Sequence, residues 1–338
     1  MKLGLLLIVG AAFCLATANL AFDFAIRARY AAQVPKPHRQ VAVTIDDLPA
    51  GMADRVPAAD ITALTTKLLT TLRDQKVPVV GFVNEGNLYK PGEVDERIKC
   101  LQLWLDYGFE LGNHTFSHTS LNQAGLKAWE DDVIQGESVT KLLLAQRKMK
   151  LRYFRHPYLD TGRDLATRRE AEKFLVERGY RIAPITLDGW DWMFAGLYED
   201  AKKRNDTGLQ QQIVKEYLAY HDSVFAYIEQ LSVKMVGYEP RQILLLHASN
   251  LEADHIGELL DVLRKRGYRF ITLEDALRDT AYSLPDTYVG EEGMGWIYHW
   301  AISQGKIPQG APRFPRWVMD RTKELHLSTG QVSAQPSN

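Results

Sequence analysis

The chain has 338 residues, of which 46% are hydrophobic and 25% are charged, and this is typical of a folded protein with one large or two smaller domains. Lysine plus arginine and aspartate plus glutamate nearly cancel, at 41 against 42, and no basic block is present. This charge balance argues against a nucleic-acid partner. We infer no protein partner from the sequence.

Residues 1–30 have the pattern of a targeting segment. Lys2 precedes an apolar run, and small residues around Ala16–Ala18 follow it, as in a secretory signal peptide. An uncleaved membrane anchor is the first alternative, because the apolar character continues to Ile26. A cytosolic protein with an apolar N-terminal element is the second. Export to the periplasm or the cell exterior is the expectation, with residues 31–39 as a linker.

From residue 40 onwards, apolar segments of strand length alternate with amphipathic helical patterns. About seven such units predict an α/β fold with a parallel sheet, and we expect a distorted (β/α) barrel. An open doubly wound sheet would give the same alternation. The predicted strands are 41–45, 77–83, 108–114, 151–157, 181–187, 242–248 and 268–273.

Two regions depart from the alternation. Residues 197–240 predict a helical insertion between two strands. Residues 281–338 form a C-terminal extension in which the aromatic residues predict packing up to about residue 318. We expect the polar segment 328–338 to be disordered.

Functional residues of parallel α/β folds collect where strands end. Polar side chains follow five of the predicted strands, so we expect them at one rim of the sheet. They are Asp46 and Asp47; His114 and His118; Arg155 and Tyr158; Asp188, Asp191 and Trp192; and His247.

His114 and His118 are four residues apart, and on a helical turn this spacing puts both imidazoles on one face. With a carboxylate from another strand end they would make three ligands for a divalent cation. Taken alone, the pair could equally be surface or capping histidines. Asp46 and Asp47 could be a helix N-cap or a solvated turn. If they are functional, one would bind the metal and the other would act as a general base.

These motifs, in this order, resemble the polysaccharide deacetylases of carbohydrate esterase family four, also called the NodB-homology domain. The resemblance covers about residues 40–280, which is therefore the predicted deacetylase domain. It rests on five motifs, namely TIDD (44–47), HTFSH (114–118), RHPY (155–158), DGWDW (188–192) and LLLH (244–247).

The resemblance implies a hydrolase that removes acetyl groups from N- or O-acetylated sugars of a glycan. Asp47, His114 and His118 would hold a divalent metal ion, for which Zn²⁺ is best suited and Co²⁺, Ni²⁺ or Mn²⁺ are alternatives. It also implies that Asp46 is the general base, that Arg155 orients this base, and that the Tyr158 N–H contacts the oxyanion. His247 would be the general acid, supported by Asp191. Trp192 would form an apolar floor, and Leu244 or Leu246 would shape the acetyl pocket.

The chain also departs from the family pattern. Leu48 stands where the family commonly has glycine, and we expect it to alter the rim of the cleft beside the metal. Because a fold does not fix a substrate, two other functions stay open at this point. One is a related metal-dependent amidase or esterase on a non-polymeric substrate, and the other is a catalytically silent glycan-binding protein.

Overall fold

The structure, a computed structural model, describes residues 38–325. The predicted targeting segment, most of the linker and the polar segment 328–338 lie outside the described residues. No helix in the described part of the chain is long and apolar enough to cross a membrane.

Eight strands form one parallel sheet at the centre of the protein. They are β1 (Arg39–Leu48), β2 (Val79–Val83), β3 (Glu110–Asn113), β4 (Tyr153–Phe154), β5 (Arg181–Ile182), β6 (Leu187–Asp188), β7 (Gln242–His247) and β8 (Tyr268–Phe270). Their spatial order is β5-β4-β3-β2-β1-β7-β6, and β8 pairs with β1. The central strand β1 is buried along most of its length, as expected for a parallel sheet covered by helices.

The two edges of this sheet are joined by only four residues, 183–186. That connection spans at most about 18 Å, whereas a flat sheet of seven strands would hold its edges about 29 Å apart. The sheet therefore curls into a distorted (β/α) barrel with a gap between β5 and β6. This confirms the predicted fold class and excludes the open doubly wound sheet.

The prediction of one strand over 181–187 is wrong. Pro184 lies in the middle of this segment and has no N–H to donate to a ladder, so the segment divides into β5 and β6. These two strands pair at opposite edges of the sheet, with β4 and β7 respectively.

Within residues 38–325 the chain forms twelve α-helices. They are α1 (Ala58–Asp74), α2 (Val94–Asp106), α3 (Leu121–Ala124), α4 (Leu126–Gln135), α5 (Ser138–Gln146), α6 (Leu165–Glu177), α7 (Asp191–Lys203), α8 (Thr207–Val236), α9 (Asn250–Lys265), α10 (Leu273–Ala276), α11 (Trp296–Ser303) and α12 (Arg316–Glu324).

The insertion consists of α7 and α8, and α7 begins at Asp191, ahead of the predicted start at residue 197. In the C-terminal extension, α11 and α12 pack on the barrel through buried side chains such as Trp300 and Val318.

Candidate active site

The two neighbouring aspartates lie on a bulge of β1. The register between β1 and β2 shifts between Ile45 and Leu48, and Asp47 has a φ of 64°, a left-handed value that side chains disfavour. In a regular strand the two carboxylates would point to opposite faces. The bulge instead brings both to one imidazole, since His114 Nε2 lies 3.7 Å from Asp46 Oδ2 and 3.5 Å from Asp47 Oδ1.

Leu48 does not line the cleft. Its side chain is fully buried and belongs to the hydrophobic core that also contains Trp104. The expectation that this residue alters the rim beside the metal is therefore wrong.

His114 and His118 lie on a loop that follows β3, not on the helical turn that their spacing predicted. Thr115 and His118 have φ values of 65° and 56°, which interrupt any helical path. Asp132 accepts a hydrogen bond from a backbone N–H of this loop at 3.0 Å. The two rings nevertheless meet edge to face, with centroids 4.8 Å apart.

Asp47, His114 and His118 fit a divalent metal ion. Their ligand atoms lie within 4.8 Å of one another, and Asp47 Oδ1 is buried without a hydrogen-bond donor in the described part of the chain. His114 Nδ1 lies 2.9 Å from the carbonyl oxygen of Arg155, so Nδ1 carries the proton and Nε2 presents its lone pair. Burial lowers the pKa of both histidines, which keeps the imidazoles neutral and able to bind a cation.

Asp46 is a buried carboxylate that Arg155 holds in place. Arg155 Nη1 donates to Asp46 Oδ2 at 3.2 Å, while Nη2 donates to Thr44 Oγ1 at 3.0 Å. Its Nε donates to the carbonyl oxygen of Ala183 at 2.6 Å, so the guanidinium is fixed from two further sides. Burial raises the pKa of Asp46 to about 6, and the charge of Arg155 opposes this rise. The position suits a base that is ionised near neutral pH.

His247 lies beside Asp46, because the ladder between β1 and β7 pairs these two residues. Its Nδ1 lies 2.8 Å from Asp191 Oδ1, and its backbone N–H donates to Asp191 Oδ2 at 2.7 Å. Burial disfavours the imidazolium, but the charge and hydrogen bond of Asp191 outweigh it and raise the pKa of His247 to about 10. His247 therefore carries a proton that it can donate at neutral pH.

Tyr158 lies on a strained turn next to the metal ligands. Tyr158 and Leu159 have φ values of 56° and 59°, and such conformations cost about 1–2 kcal/mol per residue. The Tyr158 ring packs against His118 with centroids 4.4 Å apart. Its backbone N–H meets no hydrogen-bond acceptor among residues 38–325. Tyr158 thus lies beside the ligand set with a backbone N–H that is free to donate.

One cavity of about 420 Å³ is lined by Asp46, Asp47, His114, His118, Tyr158 and His247, and Trp192 lies in its wall. Arg155 and Asp191 are fully buried and do not line it. The prediction for Leu244 and Leu246 is wrong by one residue, because Leu245 lines the cavity. Alternate residues of a strand share a face, and His247 on this face requires Leu245 beside it. Leu244 and Leu246 lie in the core instead.

Sequence reasoning missed several residues of the cavity wall. Glu199 comes from the insertion, and Glu292, Gly293 and Thr322 come from the C-terminal extension. They are distant in sequence from the five motifs, and no local pattern marks them. Asp160 is different, since it follows the RHPY motif by two positions and could have been found as one more polar residue beyond β4.

Comparison with known proteins identifies the first part of the chain. Residues 33–177 match the family model described as polysaccharide deacetylase. This part of the chain is similar to the polysaccharide deacetylase family. The match includes the first three motifs and ends before Asp191 and His247, so these two residues are placed in the site by the distances given above.

Several solved structures are similar to this chain. A polysaccharide deacetylase from Bacillus cereus is 16% identical with a TM-score of 0.49, and the match covers 69% of this chain and 91% of that one. A family 4 carbohydrate esterase from Streptomyces lividans, in complex with acetate, is 19% identical with a TM-score of 0.44 and coverages of 70% and 95%. A pseudoenzyme of the same family from Bacillus anthracis is 18% identical with a TM-score of 0.44 and coverages of 72% and 66%. Similarity at this level does not bear on what this chain catalyses.

Proposed function

We propose that this protein is a metal-dependent hydrolase that removes acetyl groups from N-acetylated sugars of a glycan, with O-acetylated sugars as the alternative substrate. One observation carries the proposal. Asp46 and His247 stand side by side at the three-ligand set, where Arg155 donates to Asp46 at 3.2 Å and Asp191 lies 2.8 Å from His247 Nδ1. At neutral pH this pair is an ionised base next to a protonated acid, which is the arrangement that amide hydrolysis needs.

Asp47, His114 and His118 would hold a divalent cation, whose positive charge would polarise an acetyl carbonyl and make water more acidic. Two histidines and one carboxylate suit Zn²⁺, which is the cation we propose.

The remaining steps belong to the side chains and backbone of this chain. Asp46, oriented by Arg155, would take the proton of the water that attacks the acetyl carbon. The Tyr158 N–H would donate to the carbonyl oxygen as negative charge develops on it. His247 would give its Nε2 proton to the leaving nitrogen as the C–N bond breaks, so that acetate and a free amine result.

The substrate and the cellular location are the finer parts of the proposal. Trp190 and Trp192 line the cavity with aromatic surface that suits the apolar face of a sugar ring. Export to the periplasm or the cell exterior is supported by the apolar residues of segment 1–30 alone.

The decisive variant is Asp46→Asn in the metal-reconstituted protein. We expect bound metal at the wild-type level and a fall of roughly 10²–10⁴-fold in acetate release, because the base is lost and the ligands are kept. Asp60→Asn, an exposed position on α1, is the matched control and should leave the turnover unchanged. Wild-type turnover in Asp46→Asn would contradict the assignment.

The substrate is tested separately with N-acetylated and O-acetylated oligosaccharides and small acetylated amides and esters. Acetate release from N-acetylated oligosaccharides is the expected result. Turnover of the small compounds alone would identify a related amidase or esterase. Glycan binding without acetate release in the presence of Zn²⁺, Co²⁺, Ni²⁺ or Mn²⁺ would identify a silent binding protein.

A further inference from the structure

We propose that the C-terminal extension positions the oxyanion turn, defined here as residues 156–160, and that Gly293 does so by direct backbone contact. The catalytic meaning of this contact rests on the proposed function, because it concerns the Tyr158 N–H. The contact itself is a property of the fold, and it can be tested whether or not the protein releases acetate.

Gly293 lies directly against the backbone of the turn. A Cβ atom built on Gly293 would lie 2.2 Å from the Tyr158 carbonyl oxygen and 2.3 Å from the Leu159 carbonyl carbon. Both are backbone atoms, which cannot rotate away as a flexible side chain can. The φ of Gly293 is outside the left-handed region, so this position needs glycine for close approach and not for backbone freedom.

Asp160 ties the turn to the metal-ligand loop and lies near the extension. This buried carboxylate accepts a hydrogen bond from Ser120 Oγ, and the nearby backbone N–H of Gly293 opposes the rise in its pKa that burial causes. Ser120 follows the ligand His118 by two residues. Asp160 therefore lies where three parts of the site meet.

Asn122 makes the third connection. Its Nδ2 donates to the carbonyl oxygens of Gly290 at 3.0 Å and Glu291 at 3.1 Å. Its Oδ1 accepts from the Gly162 N–H at 3.1 Å, just beyond the turn. The segment 290–293 is thus fixed between α3 and the oxyanion turn.

These contacts explain how the turn keeps its conformation. Tyr158 and Leu159 are consecutive left-handed residues without being glycine, and such residues persist only where tertiary contacts determine them. The direction of the Tyr158 N–H follows from the same dihedral angles. The extension lies outside the family match at 33–177, yet it completes the part of the site that would receive the oxyanion.

Gly293→Ala is the test, and Gly295→Ala is its matched control in the same extension. The methyl group added at Gly295 would meet its nearest atom, the Ile185 side-chain Cδ1, at 3.1 Å and would lie away from the turn. In Gly293→Ala we expect kcat to fall at least about tenfold while KM and bound metal stay at wild-type values. Gly295→Ala should stay within about twofold of the wild type in kcat. Equal kcat values for the two variants would overturn the proposal.

Hydrogen exchange gives a readout that does not depend on catalysis. The amides of Leu159 and Asp160 donate to the carbonyl oxygens of His156 and Pro157, both at 3.1 Å. They should exchange at least about tenfold faster in Gly293→Ala than in the wild type. Unchanged exchange would overturn the proposal even in an active enzyme. Faster exchange in a protein that never releases acetate would support the positioning role and remove the proposed function.

A second variant covers the case in which Gly293→Ala does not fold. Asn122→Ala removes the anchor of segment 290–293 without adding an atom near the turn. The same loosening of Leu159 and Asp160 is expected, to a smaller extent. Exchange rates and kcat that match the wild type in Asn122→Ala would contradict the proposal.

Discussion

Asp46 and His247 are neighbours across one ladder, but different residues set their charges. Asp46 is ionised above about pH 6, because Arg155 offsets part of the effect of its burial. His247 keeps its proton up to about pH 10, because Asp191 outweighs the effect of burial there. Both groups have the required charge between these two pH values, so each supporting residue should control one side of the activity profile.

Asp191→Asn should shift the alkaline limit of the activity profile. Burial still lowers the pKa of His247 in this variant, but the negative charge that raised it is gone. A general acid is lost as the pH rises through its pKa, so we expect the alkaline limit of kcat/KM to fall by at least about 2 pH units. The measurement is the kcat/KM profile for acetate release.

The acidic limit of that profile should move less than the alkaline limit, because Arg155, the largest charge acting on Asp46, is unchanged. Asp261→Asn on the exposed side of α9 serves as the control with an unaltered profile. An alkaline limit that stays at its wild-type position in Asp191→Asn would show that Asp191 does not set the charge of the acid.

At the scale of elements, the sequence predicts most strands because the central strands are short apolar runs between turn residues. It predicts that Asp47, His114 and His118 come together, because they lie just past strand ends that meet at one edge of the sheet. It does not predict the bulge at Asp47 or the non-helical loop of His118, since both depend on left-handed residues that distant contacts stabilise. The prediction of Leu244 or Leu246 in place of Leu245 was also wrong because of tertiary structure. Which face of β7 points into the cavity depends on the register of this strand in the sheet.

The insertion contacts the site through a close approach between α8 and the loop that follows β6. A Cβ atom built on Gly189 would lie 2.2 Å from His221 Nε2. The His221 ring is fully buried, and its Nδ1 lies 2.8 Å from the Tyr217 carbonyl oxygen, so the ring has little room to move. Gly189→Ala should therefore lower the free energy of unfolding by roughly 1–3 kcal/mol, measured by urea denaturation.

Gly208→Ala is a control in which the added methyl group meets no close neighbour. Gly208 lies on α8, the helix that carries His221, and the atom nearest to the added methyl group is Asp206 Oδ1 at 3.7 Å. It should leave stability unchanged or raise it by up to about 1 kcal/mol. Equal free energies of unfolding for Gly189→Ala and Gly208→Ala would show that His221 on α8 does not pack closely against the loop that follows β6.

At the scale of the whole molecule, the C-terminal extension covers the gap in the barrel. The Trp296 N–H donates to the Ile185 carbonyl oxygen at 2.8 Å, in the short connection between β5 and β6. Phe314 packs against Trp190 and Phe194, with centroids 5.3 and 5.1 Å apart. The aromatic residues of the extension predicted that it packs on the domain. The surface that it covers could not be predicted, because this surface depends on where the two edges of the sheet meet.

Asp286 is the main polar anchor of the extension. Its carboxylate accepts from Arg168 Nη1 at 2.9 Å and Nη2 at 2.7 Å, and His299 Nδ1 lies 3.0 Å away. Asp286→Ala leaves the buried guanidinium of Arg168 with Glu172 as its remaining carboxylate partner. We expect a loss of roughly 2–4 kcal/mol in the free energy of unfolding, measured by denaturant titration at neutral pH.

The pH dependence of that loss distinguishes a charge effect from simple loss of packing. Burial alone would raise the pKa of Asp286, but His299 and Arg168 outweigh it and hold the pKa well below its ordinary value of 3.8. A carboxylate with a lowered pKa stabilises the fold fully above its ordinary pKa, and this contribution disappears as the pH falls through the lower folded-state value. The gap between wild type and Asp286→Ala should thus be constant from about pH 5 upwards and shrink below about pH 4. Asp320→Ala is the control, because its partner Arg316 is 93% exposed, and it should change the free energy of unfolding by less than about 0.5 kcal/mol at any pH. An equally small effect of Asp286→Ala would show that the charge of Asp286 does not anchor the extension.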